Sequence, residues 1–305
     1  MRILITGASG LLGLNLALET TRRHTVFGTV NEHALYSKTF TVVQTDLLVP
    51  GAVERLLEST HPDWVIHCAA LANLEACEAD PLLAKQINTD LPRTLASHVA
   101  RSGARLVHVS TDAVFDGLRG DYTEEDHPTP ACAYSRTKLD GELAVAEADP
   151  KAIIARVVFY GWSLNGKRSL AEFFFNNLRQ GRQVMGFTDL FFCPLLANDL
   201  ADIFVRMLEK KLSGLYHVVS SESLSKYDFG IRLARRFNLD GSLINPISVT
   251  DSGLKATRSP NLTLRSDKLA KALGESLPNI STGLDRLYTL YQQGYPQLLQ
   301  HLGTQ

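Results

Sequence analysis

Short apolar runs recur through the first 160 residues, each bounded by glycine, proline or charged positions and followed by a stretch of helical periodicity. Met1–Thr6 (MRILIT), His24–Val30 (HTVFGTV), Thr41–Gln44 (TVVQ), Asp63–Ala70 (DWVIHCAA), Arg105–Ser110 (RLVHVS) and Ile153–Phe159 (IIARVVF) read as buried strands rich in β-branched residues. The intervening segments Leu12–Thr20, Val53–Leu57, Leu74–Asp80, Pro81–Ala100 and Tyr134–Ala148 carry apolar residues at helical spacing. Strands alternating with helices predict an α/β fold with a doubly wound parallel Rossmann sheet over residues 1–160. The pattern then loosens. Leu170–Gln180, Asn198–Lys211 and Lys226–Phe237 read as helices, Gly214–Val219 as a strand, and Pro246–Pro260 as irregular and polar. Two further helices begin at Ser266 and Leu284. Residues 161–305 are therefore expected to form a smaller C-terminal lobe, some of its segments returning to the first domain, with a cleft between the two.

The first strand runs straight into Gly7-Ala8-Ser9-Gly10-Leu11-Leu12-Gly13 and then a helix. Free N–H groups and the helix dipole make that junction an anion site, and glycines let a pyrophosphate approach the main chain. Its place after the first strand predicts dinucleotide binding by Gly7, Ser9, Gly10, Leu11, Leu12 and Gly13. In such folds an acid near the end of the second strand accepts hydrogen bonds from the adenosine ribose. Here Val30-Asn31 holds that place, so nothing repels a 2′-phosphate from Asn31, and NADP is favoured over NAD. Asp46-Leu47, after the third strand, suits contact with adenine, while Asp46 also suits a helix N-cap before Val53. Cys68, Ala69 and Ala70 end the fourth strand with small side chains, where a cofactor needs close approach.

Tyr134 and Lys138 lie four residues apart, on one face of a helix. A fixed positive charge beside a phenol favours phenolate and lowers the tyrosine pKa towards working pH. Thr111, from the end of the fifth strand, completes a site able to give a proton to a carbonyl oxygen.

Composition narrows the class. A formal net charge of −1 without basic runs argues against a nucleic-acid partner or a polybasic membrane contact. No stretch reaches the roughly 18 apolar residues needed to span a bilayer. Cys68, Cys77, Cys132 and Cys193 form no C-x-x-C pair, which predicts reduced thiols, no metal site and a cytoplasmic protein.

Several motifs occur together: Thr6-Gly7-x-x-Gly10-x-x-Gly13, Ser110-Thr111-Asp112-x-Val114-Phe115-Asp116-Gly117 and Tyr134-x-x-x-Lys138-x-x-Gly141-Glu142. Later come Gly214-Leu215-Tyr216-His217-Val218, Ser225-Lys226-Tyr227-Asp228-Phe229, and Arg258-x-Pro260 followed by Asp267-Lys268-Leu269. With these the chain resembles the extended short-chain dehydrogenase/reductase superfamily and, within it, the dTDP-4-dehydrorhamnose reductase family of nucleotide-sugar reductases. The resemblance implies NADPH-dependent reduction of a keto group on a nucleotide sugar or related small molecule. Tyr134 would be the general acid, Thr111 would orient the carbonyl, and Lys138 would lower the phenol pKa and hold the nicotinamide ribose. Asn73, Asp112, Ala113, Phe159 and Arg258 would face the substrate. Three positions near the sugar depart from the family: Ala113 replaces tyrosine, Ala72 threonine and Phe159 tryptophan. Related 4,6-dehydratases carry an acid where Ala113 stands, which speaks against dehydration. The family also includes the non-catalytic regulatory β subunit of methionine adenosyltransferase, so an NADP-binding regulatory protein is the alternative, with a sugar-nucleotide epimerase as a further one. A homodimer is a candidate assembly.

Overall fold

The computed structural model describes residues 1–251 and 259–303. Six strands come from the first half of the chain: β1 (Arg2–Thr6), β2 (Thr25–Val30), β3 (Thr41–Gln44), β4 (Trp64–His67), β5 (Arg105–Thr111) and β6 (Ile153–Val157). They run parallel, in the spatial order β6-β5-β4-β1-β2-β3. Alternation along each strand sends side chains to opposite faces. Ile3 and Ile5 of β1 enter one apolar cluster and Leu4 the other, and Ile153 and Ile154 of β6 divide in the same way. Helices cover both faces. Leu14 of α1 (Leu11–Thr20) packs in the first cluster, and Leu56 of α2 (Ala52–Thr60) packs in the second. Near-continuous hydrophobicity in these strands follows from that double cover.

The chain winds outwards from β1 to β3, then returns to place β4 on the other side of β1. The order reverses there, so the carboxyl ends of β1 and β4 flank an open crevice. Gly7 follows one and Cys68 the other.

The segment Pro81–Ala100 is helical but not continuous. After α3 (Leu74–Ala79) and α4 (Pro81–Lys85), the residues Gln86–Asp90 form a π turn before α5 (Leu91–Ser102). Pro92 has no N–H to offer the Asn88 carbonyl four residues earlier, so regular α pairing fails there. That carbonyl instead abuts α6 (Ala133–Ala148), where a Cβ on Gly141 would lie 2.2 Å from it.

The second half does not stand apart from the sheet. The predicted run Ile153–Phe159 breaks after Val157, and β7 (Phe159–Tyr160) leaves the sheet. It is followed by α7 (Leu170–Arg179), β8 (Val184–Phe187), β9 (Phe191–Phe192), β10 (Leu195–Leu196) and α8 (Ala197–Glu209). β11 (Gly214–Val218) then returns as the seventh parallel strand, paired with β6. Next come β12 (Leu224–Ser225), α9 (Lys226–Arg236) and β13 (Ile244–Ile247). Small pairings join these pieces: β7 with β10, β9 with β12 and β8 with β13. Residues 246 and 247, expected to be irregular, thus belong to a strand; only main-chain pairing of β13 with β8 reveals it. Three helices close the chain, α10 (Asp267–Leu273), α11 (Ile280–Gln292) and α12 (Tyr295–Leu302). Among the described residues no helix is long and apolar enough to cross a membrane.

Candidate active site

The three glycines after β1 do different work. Gly7 has φ +70°, and a Cβ on it would sit 2.9 Å from the main chain of Ala69. A Cβ on Gly13 would lie 2.3 Å from the Gly7 carbonyl oxygen. Both therefore let turn, helix and β4 close together. Gly10 is the N-cap of α1 at φ −77° and ψ 163°, a conformation open to any residue, and no side chain caps that helix end. Its added Cβ would meet only the Gly7 carbonyl, at 3.2 Å. What Gly10 keeps clear is the space above it.

That space is a cavity of about 300 Å³. Gly7, Ser9, Gly10, Cys68, Ala69 and Ala70 bound it at the crevice, and Asn31, Asp46 and Leu47 bound it towards the sheet edge. Leu11 and Leu12 turn their side chains into the core beneath, so anything they offer the cavity comes from their main chain. Asp46 does not cap α2, whose N-cap is Gly51. Its carboxylate instead accepts from the Leu48 N–H at 2.9 Å and holds the turn. Several walls were not foreseen from sequence, among them His33, Ile87, Leu91 and Arg168. Glycine spacing marks the turn itself but not residues that distant segments fold over it.

A second cluster lies at the end of β5. The Thr111 hydroxyl caps the short 3₁₀ turn Asp112–Val114, accepting from the Ala113 N–H at 3.2 Å and donating to the Asp112 carboxylate at 3.1 Å. Tyr134 stands in the first turn of α6, and Lys138 follows one turn later. Buried Glu142, one further turn along, fixes the helix to the sheet. It accepts from the Ser110 hydroxyl at 2.5 Å and from Arg156 through Nε at 3.0 Å and Nη2 at 2.7 Å. On the other side, the Thr89 hydroxyl donates to the Thr137 carbonyl at 2.8 Å, and the Asn88 amide donates to the Thr137 hydroxyl at 3.2 Å. Locked on both flanks, α6 has one register available for Tyr134 and Lys138.

Burial controls the charges here. It pushes the phenol of half-buried Tyr134 up to about 12, against the lowering effect of a hydrogen bond with Thr111. It brings the Lys138 ammonium down to about 8, against the nearby Glu142 carboxylate. The expectation that Lys138 depresses the Tyr134 pKa is therefore not met. The Lys138 ammonium donates to the Val109 carbonyl at 2.7 Å, and desolvation of the phenol decides its direction. Asp112 is raised to about 6 by burial, in spite of the Thr111 hydrogen bond. Beneath Lys138, His67 and His108 stack with centroids 5.5 Å apart; burial and the Lys138 charge lower both, His67 to about 3. Cys68 lines the cavity, and burial raises its thiol to about 12 against the lowering effect of the Lys138 charge; Thr111, Tyr134 and Lys138 are not among the residues that wall this cavity.

The remaining predicted substrate positions divide. Ala113 is half-buried in the 3₁₀ turn beside Asp112. Phe159 is half-buried in β7, opposite Leu195. Asn73 uses its side-chain oxygen to cap α3, accepting from the Ala76 N–H at 2.8 Å. Arg258 lies outside the described residues.

Comparison with known proteins agrees with this architecture. The family model described as RmlD substrate binding domain matches residues 1–293. The probable low-salt glycan biosynthesis reductase Agl14 of Haloferax volcanii is 32% identical over 94% of this chain and 97% of its own. The methionine adenosyltransferase 2 subunit beta of Rattus norvegicus is 34% identical over 91% of this chain and 84% of its own. Among solved structures, a dTDP-4-dehydrorhamnose reductase of Clostridium acetobutylicum superposes with a TM-score of 0.81 at 27% identity, covering 96% of this chain and all (100%) of that one. That of Bacillus anthracis, solved in complex with NADP, gives 0.81 at 25% identity, covering 94% and 98%. With a parallel seven-stranded sheet, a glycine turn at its switch point and a family match along nearly its whole length, this chain belongs to the RmlD substrate-binding-domain family of extended short-chain dehydrogenase/reductase proteins.

Proposed function

We propose that the protein is an NADPH-dependent reductase of a keto group carried on a nucleotide sugar. The observations that carry this reading are the cavity at the glycine turn, walled by Gly7, Ser9, Gly10 and Cys68–Ala70, and the hydrogen bond between Thr111 and Tyr134 at the end of β5. The residues present fit a dinucleotide. Gly10 leaves room where a Cβ would project, the first turn of α1 has no capping side chain, and Cys68–Ala70 form a low wall. When bound, the nicotinamide supplies hydride to the carbonyl carbon. Tyr134 Oη gives its proton to the carbonyl oxygen, and the Thr111 hydroxyl orients that oxygen. With its pKa up at about 12, the phenol is fully protonated at neutral pH, the form required of a donor. An alkoxide is a much stronger base than a phenolate, so the transfer runs downhill towards alcohol. Lys138 holds the nicotinamide ribose.

Preference for NADPH is supported by the cavity wall at the end of β2, which includes Val30, Asn31 and His33. None of the three carries the carboxylate that would select an unphosphorylated ribose. The substrate class is supported by relatives, the haloarchaeal glycan biosynthesis reductase and the dTDP-4-dehydrorhamnose reductases. Four free thiols suit action in the reducing cytoplasm. A second reading, a non-catalytic NADP-binding regulatory subunit, is favoured by the likeness to methionine adenosyltransferase 2 subunit beta. Oxidation of NADPH and NADH against a panel of nucleotide sugars and simple ketones separates the two. Turnover with at least one nucleotide sugar, faster with NADPH, is expected. A panel with no turnover under either cofactor would leave the regulatory reading standing.

A further inference from the structure

We infer that Arg168 is a phosphate-binding residue of the dinucleotide cavity, reaching it from the loop between β7 and α7. The inference rests on the dinucleotide reading of that cavity and adds a cation to it. Among the described residues that wall the cavity, Arg168 is the one lysine or arginine, and it shares the wall with Gly7, Ser9 and Gly10. Its side chain is exposed, and no carboxylate among the described residues forms an ion pair with it. The end of β2 contributes Asn31 and His33 to the wall but no arginine.

The main chain behind Arg168 is fixed with unusual thoroughness for a loop. The Glu172 carboxylate, fully buried at 0% exposure, accepts from the N–H groups of Ser163 at 2.6 Å, Arg168 at 2.8 Å and Ser169 at 3.1 Å. It also accepts from the Ser163 hydroxyl at 2.8 Å. The Ser169 hydroxyl donates to the Gly161 carbonyl at 2.7 Å and caps α7 in return. The same loop is attached to α1. Buried Asn15 donates to the Trp162 carbonyl at 2.9 Å and to the Leu11 carbonyl at 2.7 Å. Gly161 faces Leu11, and a Cβ on it would lie 3.7 Å from a Leu11 methyl. Thus the loop that presents Arg168 and the helix that begins at the glycine turn are joined by buried polar contacts. A long cation held at its base and free at its tip is suited to a phosphate, which it meets with charge-assisted, bidentate hydrogen bonds. The dinucleotide offers two such groups, the pyrophosphate and the 2′-phosphate.

The test is the affinity of the full-length protein for NADPH and NADH, at low and high salt, in wild type, Arg168→Gln and Arg168→Lys. Arg168→Gln should weaken binding roughly ten- to hundredfold, the worth of a hydrogen bond to a charged group, and should flatten its salt dependence. Arg168→Lys should fall between the two. Unfolding of the ligand-free variants should match wild type, because the side chain is exposed. A loss confined to NADPH assigns the 2′-phosphate, and an equal loss for both assigns the pyrophosphate; either supports the inference. Unchanged affinity for both, in a wild type that binds, overturns Arg168 while leaving the cavity its cofactor. A wild type that binds neither dinucleotide overturns the cofactor reading and this inference with it.

Discussion

At the glycine turn the site consists of main chain and open space, whereas at the end of β5 it consists of side chains packed out of water. The first depends on what is missing: Gly10 adopts an ordinary conformation and contributes by having no Cβ. The second depends on which groups burial can keep neutral. Desolvation opposes the phenolate of Tyr134 and the ammonium of Lys138 alike. A site made of backbone is complete before its ligand arrives. A site made of buried ionisable groups takes its working electrostatics from whatever fills it, since a bound charge or dipole shifts each group again.

Three experiments press on that difference. The largest effect is expected from Tyr134→Phe, which removes one oxygen from the side-chain region and leaves the backbone region intact. Turnover should fall about 10²- to 10⁴-fold, while the dinucleotide Kd stays within a few-fold of wild type. Equal damage to both would mean the two regions are not separable. Next is a matched pair in the turn. Gly13→Ala puts a Cβ 2.3 Å from the Gly7 oxygen, and should destabilise the fold by about 1–3 kcal/mol in denaturant melts. Gly10→Ala, with only a 3.2 Å contact, should leave stability within about 0.5 kcal/mol and weaken dinucleotide binding instead. The opposite pattern would show that Gly10 serves packing.

Mild acid tests the buried ionisable groups through stability alone. His67 and His217 are held neutral by burial, each lowered from an ordinary 6.5 to about 3. Their folded pKa values lie below the unfolded ones, so between those limits the unfolded chain binds more protons. Stability should be intact above pH 6.5 and fall as the pH drops towards 3, each histidine contributing up to about 1.4 kcal/mol per pH unit. Denaturant midpoints at pH 5, 6 and 7 check this, and His67→Gln should reduce the slope. A flat profile would mean that the ring tolerates its proton in place.

The central strands of the sheet were legible because they are buried on both faces and read as apolar runs, while β3 at the edge is only half-buried. The glycine turn and the Tyr134–Lys138 pair were legible because their chemistry is written within one turn of backbone. What sequence left out is held by distant partners. Glu172 and Asn15 fix the loop of Arg168 beside the glycine turn; the Ser169–Glu172 capping box is a local pattern, but nothing local records the Asn15 contact. The π turn at Gln86–Asp90 passes for plain helix, since apolar spacing hardly registers one extra residue in a turn. The pKa direction at Tyr134 was missed for a different reason. Spacing shows that a lysine is near but not how far the phenol is desolvated.

The position of β11 in the sheet has a consequence for synthesis. β6 pairs with β5 on one side, and its other edge is covered only when Gly214–Val218 aligns with Ile153–Val157. At ordinary translation rates the interval between making these two segments is roughly three to twelve seconds. If the first six strands pair as they are made, the free edge of β6 presents a row of unsatisfied N–H and C=O groups throughout that interval, a template for pairing with a neighbour on the same message. Arrival of β11 ends that exposure, so the residues between β6 and β11 set how long each new molecule can be mispaired.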